Sequence, residues 1–375
     1  MKTSKRWNRL CWLLVCLLVG MPLWAVDPVV SNVRSVQRPG TRLVDITYDV
    51  ADSDSPTVGV AVEVSADSGV TYTVLAESFT GDVGNGIKPG TGKRVVWDAK
   101  ADWPNKYSSK VRFRVLVSDQ WLAPAGMALI PAGPFQMGDA RVVAGPVHTV
   151  TVSAFAMDKW EVSIELWESV RAWGNAHGYD LVAGGSYSAK HPVHSVNWFD
   201  VVKWCNARSE KEGKVPAHYV DAAMIQVYRS GEKAPAGVKW DAGYRLPTEA
   251  EWEKAARGGV AGKLYPWGTD EISADLANYN ASNKSGTTPV GSYGVNGYGL
   301  FDMAGNVWEW CWDWYGDYAQ TAQADPRGPS SGTLRVIRGS SYSHIAEWCN
   351  VANRDSSPGR ANYLGFRSVL PPGQP

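Results

Sequence analysis

From Val26 to about Gln120 the apolar positions recur at every second residue. Arg42–Val50, Val58–Val64, Val70–Leu75, Arg94–Trp97 and Lys110–Val117 each alternate apolar with polar side chains, and Gly, Pro, Asp or Ser bounds each run. With a further run near Val29 to Val36, the pattern predicts six or seven short strands and no helix, the arrangement of a small antiparallel β-sandwich. After Trp121 the texture changes to irregular, Gly- and Trp-rich segments with three helix signals. Ser163 stands as an N-cap before Ile164, Trp167 and Val170. Asn197 precedes Trp198, Val201, Val202 and Cys205, which fall on one helical face and make Cys205 a buried small hydrophobe. Thr248 with Glu251 three residues on forms a capping box, and Gly258 marks the end of that helix.

Composition narrows the classes. The 375 residues fit two or three domains, and 37 basic against 37 acidic side chains exclude a strongly basic nucleic-acid binder and an acidic tail. The 38 Gly and 22 Pro indicate a turn-rich globular protein. The 19 Trp imply either irregular loops pinned by buried rings or exposed rings that stack on a sugar, and core is the preferred reading because rings of that size are mostly buried.

Residues 1–25 read as a leader for export. Lys2, Lys5, Arg6 and Arg9 precede an apolar run from Leu10 to Val19, which Gly20 and Pro22 break before Ala25. The run is short for a membrane span, so none is expected after cleavage and the mature chain belongs in the periplasm or outside the cell. Cleavage removes four basic side chains and leaves a net charge of −4. It also removes Cys11 and Cys16, so Cys205, Cys311 and Cys349 remain, which allows one disulfide and one free thiol. Residues 26–120 form the sandwich, similar in kind to immunoglobulin-like or fibronectin-type modules and read as a spacer or docking unit. Residues 121–375 form the second domain.

The second domain resembles the formylglycine-generating enzyme, or sulfatase-modifying factor, family. The resemblance rests on Met127–Gly133 with Phe135–Gly138, Phe155–Val162, His191–Trp198, Tyr244–Trp252 into Ala255–Gly259, and Tyr265–Gly268. It continues through Asn296–Leu300, Met303–Trp310, Arg338–Tyr342, Asn353–Arg354 and Leu364–Arg367. It implies a variant of the C-type-lectin-like fold, so the fold class is α+β with an all-β sandwich in front. It also implies an oxidase that uses copper(I) on two cysteines to convert a sulfatase cysteine to formylglycine. Copper(I) is soft, and two thiolates suit it better than carboxylates or waters. Here Cys349 matches the second cysteine and His344 stands where the first would fall. The site the resemblance implies is therefore Cys349 and His344 on copper, with Ser341 and Tyr342 beside them. The alternative for Cys349 is a disulfide with Cys311.

The resemblance also implies structural calcium on Asp302, Gly305, Val307 and Glu309, two side chains and the main-chain oxygens between them. The alternative is that Glu309 satisfies buried main-chain amides. No H-E-x-x-H, G-x-S-x-G, P-loop or G-x-G-x-x-G after a strand occurs. His148, His177, His191, His194 and His218 are scattered, with His191 and His194 read as structural or groove-lining. Three functions follow. The chain acts on an exported protein or peptide such as a sulfatase. Or it has kept the fold without the oxidation, as a lectin-like module binding a protein or glycan through Ser343–Tyr363. Or it is a structural component of a surface assembly.

Overall fold

The computed structural model describes residues 27–372 apart from 54, 73, 75, 77, 105, 119, 120, 143–145 and 320, so the expected leader lies outside the described residues. The first strands are β1 (Val29–Gln37), β2 (Leu43–Ala51), β3 (Val58–Ser65), β4 (Phe79–Gly81), β5 (Gly84–Ile87), β6 (Gly90–Asp98) and β7 (Arg112–Ser118). They form two antiparallel sheets, in the orders β1-β2-β6-β4 and β5-β3-β7. The alternation in the sequence becomes the inner faces. Ile46, Tyr48 and Val50 on β2 and Val95 and Trp97 on β6 meet Val58, Val60, Val62 and Val64 on β3. Trp97 centres this core, with Phe79 and Phe113 at 6.4 and 5.7 Å between ring centres and its Nε1 donating to Asp102 at 2.8 Å.

Two expectations are corrected in this region. No strand forms over Val70–Leu75. Asp67 accepts hydrogen bonds from the Thr71 backbone and hydroxyl at 2.9 and 2.6 Å, which curls the chain and leaves only a Val64–Val74 bridge. A short helix, α1 (Ala99–Asp102), stands where none was expected, because the Asp98 side chain caps Lys100 and Ala101.

The chain continues with β8 (Met127–Ile130), β9 (Gly133–Met137), β10 (His148–Val152), β11 (Phe155–Asp158), α2 (Ile164–Ala176), α3 (Trp198–Lys211), β12 (His218–Tyr219), β13 (Gly237–Val238) and α4 (Glu249–Ala256). It closes with β14 (Trp308–Trp314), β15 (Gln323–Ala324), β16 (Arg335–Arg338), β17 (Arg354–Ser357), β18 (Leu364–Gly365) and β19 (Val369–Leu370). The sheet that positions the site runs β17-β16-β14-β18. All three predicted helices start at their caps. Ser163 Oγ accepts from Leu166, and Asn197 and Thr248 each close a capping box with the residue three positions on. Each cap contributes about 1 kcal/mol. Among the described residues no helix is long and apolar enough to cross a membrane.

The tryptophans are largely core. Trp167, Trp198, Trp204, Trp308 and Trp310 share one cluster and Trp252 anchors a second. Between these clusters runs a set of buried ion pairs. Glu249 binds Arg354, Glu251 binds Arg245, Glu253 binds Arg257 and Arg338, and Glu309 on β14 binds Arg367. The Glu309 carboxylate accepts from Arg367 Nε and a terminal nitrogen at 2.8 Å each, and from Trp252 Nε1 at 2.8 Å.

Removing one member of such a pair strands a buried charge, which costs about 3–5 kcal/mol, whereas removing both costs less. Arg367→Met is expected to lower stability by about that amount, read from the urea midpoint, and Arg367→Met with Glu309→Gln to recover part of it. A single variant within about 1 kcal/mol of wild type would show that the pair carries no such burden.

Candidate functional site

Arg338, at the end of β16, sets the start of the candidate site. Its guanidinium donates to Glu253 and to the carbonyls of Val351, Ala352 and Asn353, which pins both ends of the turn that follows. Ser341, Tyr342 and His344 lie on that turn, which leads into the single 3₁₀ turn Ala346–Cys349. Ser341 is buried, and its Oγ shares a hydrogen bond with His344 Nδ1 at 2.7 Å. The His344 ring is enclosed by Trp308, Tyr363 and Trp348, with ring centres 5.6, 5.5 and 6.5 Å away. Burial lowers its pKa, so the imidazole is neutral at pH 7.

Tyr342 reaches the other way. Its hydroxyl lies 3.4 Å from that of Tyr187, and the Tyr187 ring packs on Tyr342, His194 and His191. His191 is fixed by Thr287 at 2.9 Å and His194 by Ser195 at 3.0 Å, as befits groove-lining residues. The structure thus joins Ser341, Tyr342 and His344 into one surface with Tyr187, Trp348 and Tyr363. Tyr187 escaped the sequence reading, because it sits in a Gly/Ser loop without periodicity and only its aromatic character marked it.

Cys349 takes a separate position. It is 0 % exposed and packs with Tyr265, Ala277, Tyr279 and Ala304, and its nearest polar contact is the Ile345 carbonyl at 4.0 Å. Burial pushes the thiol up to about 12, so it is not a thiolate at neutral pH. With His344 Nδ1 engaged by Ser341 and Cys349 protonated, the two do not offer copper(I) the pair of soft anionic donors it favours. Among the described residues, no group of three or more His, Cys, Asp and Glu side chains is placed to hold a metal ion.

The expected Cys311–Cys349 bridge is corrected as well. Cys205, Cys311 and Cys349 are all free and buried, and Cys311 packs with Met157, Trp252 and Val336 rather than in the cluster that holds Cys349. Proximity to one hairpin in sequence terms did not place the two sulfurs in one cluster.

The expected calcium residues lie on a tight turn in which Asp302, Gly305 and Asn306 all have positive φ. Only Gly fits at 305, where a Cβ would overlap the Asn278 carbonyl. Asp302 Oδ2 accepts from Gly291, while Oδ1 is buried without a partner. Burial raises this carboxyl to about 6. Glu161 lies alongside, accepting from Asn306 and Val307, and burial with the neighbouring Asp302 and Glu309 charges holds it well above the usual range. Three buried carboxyls around the single guanidinium of Arg367 make a donor-rich, cation-poor spot. It fits a hard cation on the Asp302 side, whereas both Glu309 oxygens already carry Arg367 and Trp252. The main-chain amide is met by Glu161 rather than by Glu309.

Residues 112–371 match the model of the sulfatase-modifying factor enzyme 1-like domain. The chain is 38 % identical over 290 residues to the formylglycine-generating enzyme of Streptomyces coelicolor, covering 64 % of this chain and 88 % of that one. It is 49 % identical over 253 residues to the serine/threonine-protein kinase pkn1 of Chlamydia caviae, covering 64 % of this chain and 37 % of that one. Among solved structures, it is similar to Treponema denticola variable protein 1, with a TM-score of 0.57, 35 % identity, and coverage of 66 % of this chain and 95 % of that one.

Buried protonated thiols are inert. Iodoacetamide is therefore expected to leave Cys205, Cys311 and Cys349 unlabelled in the native protein, and to label all three after unfolding without reductant, as read by peptide mass. Labelling of Cys205 alone in the unfolded chain would restore the crosslink.

Proposed function

The chain belongs to the sulfatase-modifying factor family, and on that premise we propose that it is a binding rather than an oxidising member. In this reading its lectin-like domain recognises an exported protein through the surface of Tyr187, Tyr342, His344, Trp348 and Tyr363. The observation that carries the reading is the state of the two residues at the expected copper site. His344 is held by Ser341 inside a ring of aromatics, and Cys349 is a buried thiol packed elsewhere.

Tyr and Trp supply rigid contact area with polar edges, which suits recognition of a polypeptide at low entropic cost. The rings pack edge to face, at 88° for Tyr187 on Tyr342 and 87° for Trp308 on His344. That arrangement offers edges and hydroxyls more than a flat platform for a sugar, which favours a protein partner. The names borne by relatives agree with a fold used for several tasks: formylglycine-generating enzymes, a kinase and a chaperone protein from Paenibacillus barcinonensis. The leader places the encounter in the periplasm or outside the cell.

Copper(I) titration in competition with a chromophoric chelator is expected to find no thiol-dependent site in wild type and to gain one in His344→Cys. A peptide carrying Cys-x-Pro-x-Arg is expected to keep its mass through long incubation with wild type, copper and oxygen. Conversion of that peptide to the formylglycine form would overturn the reading.

Calcium belongs to the same proposal as a structural ion at Asp302, with the main-chain oxygens of Gly305 and Val307 and a share of Glu309 as further donors. Chelation is expected to lower the melting temperature, and Asp302→Ala to abolish that sensitivity; an unchanged melting curve on chelation would remove the ion.

A further inference from the structure

A cavity of about 320 Å³ opens beside the first turn of α4, on residues that the site above does not use. Glu249, Asp313, Tyr318 and Arg354 line it, with Met137 and Ala250 as apolar wall. Glu249 is fully satisfied. Arg354 donates to it through Nε and a terminal nitrogen at 2.7 and 2.6 Å, and the Tyr318 hydroxyl donates at 2.8 Å. The remaining terminal nitrogen of Arg354 donates to the Gly316 carbonyl at 2.7 Å.

Asp313 differs from the other carboxyls of this layer. Glu249, Glu251, Glu253 and Glu309 each hold a guanidinium. Asp313 is only 4 % exposed, and its Oδ2 accepts the Glu249 N–H at 2.9 Å. Among the described residues, no basic side chain forms a salt bridge with it. Arg335, whose charge it feels, lies between the Trp198 and Trp314 rings, 3.7 and 3.4 Å from their centres, and donates to the Trp312 carbonyl. Gly328 arches over the carboxyl, and a Cβ there would fall 2.9 Å from Oδ1.

We propose that this cavity binds a small organic cation, a primary ammonium or guanidinium group, whose charge Asp313 meets. A buried carboxyl that lacks a cation holds a proton instead. Burial and then the Glu249 charge push Asp313 up to about 8, with Glu251 adding to them and the Glu249 N–H and Arg354 opposing. Cys311 is the other titratable group buried against it, and His148, Asp317 and Arg327 line the rest of the cavity. The cation replaces the proton, so each molecule bound releases one proton to solvent. A ligand amine with a pKa near that of lysine, about 10.4, stays charged throughout. Affinity therefore rises about tenfold per pH unit below the Asp313 pKa and levels off above it.

The test is calorimetric titration of the full chain with n-butylammonium at pH 6 to 9, in buffers of differing ionisation heat. Nα-acetyl-lysine methylamide serves as a second ligand that separates a free amine from a protein side chain. Either ligand binding with proton release, and at least tenfold more weakly to Asp313→Asn, supports the site. The asparagine keeps the acceptor for the Glu249 N–H, and a melting curve checks its fold. Where the variant does not fold, the wild-type pH profile decides, with n-butanol as the neutral control. Equal binding of the alcohol, a flat pH profile, undiminished binding by Asp313→Asn, or no binding of either cation would overturn the proposal.

Discussion

A two-turn helix carries three carboxylates into the interior, and the region beyond Trp121 depends on the guanidinium groups that meet them. Glu249, Glu251 and Glu253 leave α4 towards Arg354, Arg245 and Arg338, which belong to three separate stretches of chain. Little of this region is regular, so ladders of backbone hydrogen bonds do not hold its loops in register. An unpaired charge in such an interior is far more expensive than an unpaired apolar contact, so each pairing has a single acceptable partner geometry. Glu309 and Arg367 extend the same logic to β14 and the final strands.

What could be read from the chain was what is local. The β alternation at Arg42–Val50 became an inner face, and Thr248 with Glu251 closed the capping box its spacing announced. The C-type-lectin-like kinship of residues from Met127 onward was legible because many short motifs occur in order, and the family match spans them. The Glu–Arg pairings were not legible, because they join residues more than 80 positions apart, as in Glu253 with Arg338, and no periodicity encodes them. The same blindness misplaced Cys349. Chain distance put it near Cys311, whereas packing assigned the two sulfurs to different hydrophobic clusters. Val70–Leu75 misled for the opposite reason: its alternation was real, but the Asp67 carboxylate captured the backbone first.

The candidate surface inherits its shape from this frame. Arg338 fixes where the turn with Ser341 and His344 begins, and its bonds to the carbonyls of Val351, Ala352 and Asn353 fix where it returns. Rigid backing lets Tyr342, His344 and Trp348 hold defined positions although they lie outside any sheet. The chemistry then turns on what stands at two positions, an imidazole already engaged and a thiol already buried, rather than on the fold.

The stretch between Arg338 and Arg354 is moored at both ends by side chains sunk in the interior, while Ser343, Ile345 and Glu347 between them face water. Replacement of those outward residues alters what the surface meets without disturbing its moorings. Such a segment is suited to rapid diversification: successive generations can trial new specificities there at little risk to folding, as a tool with an interchangeable tip keeps its handle.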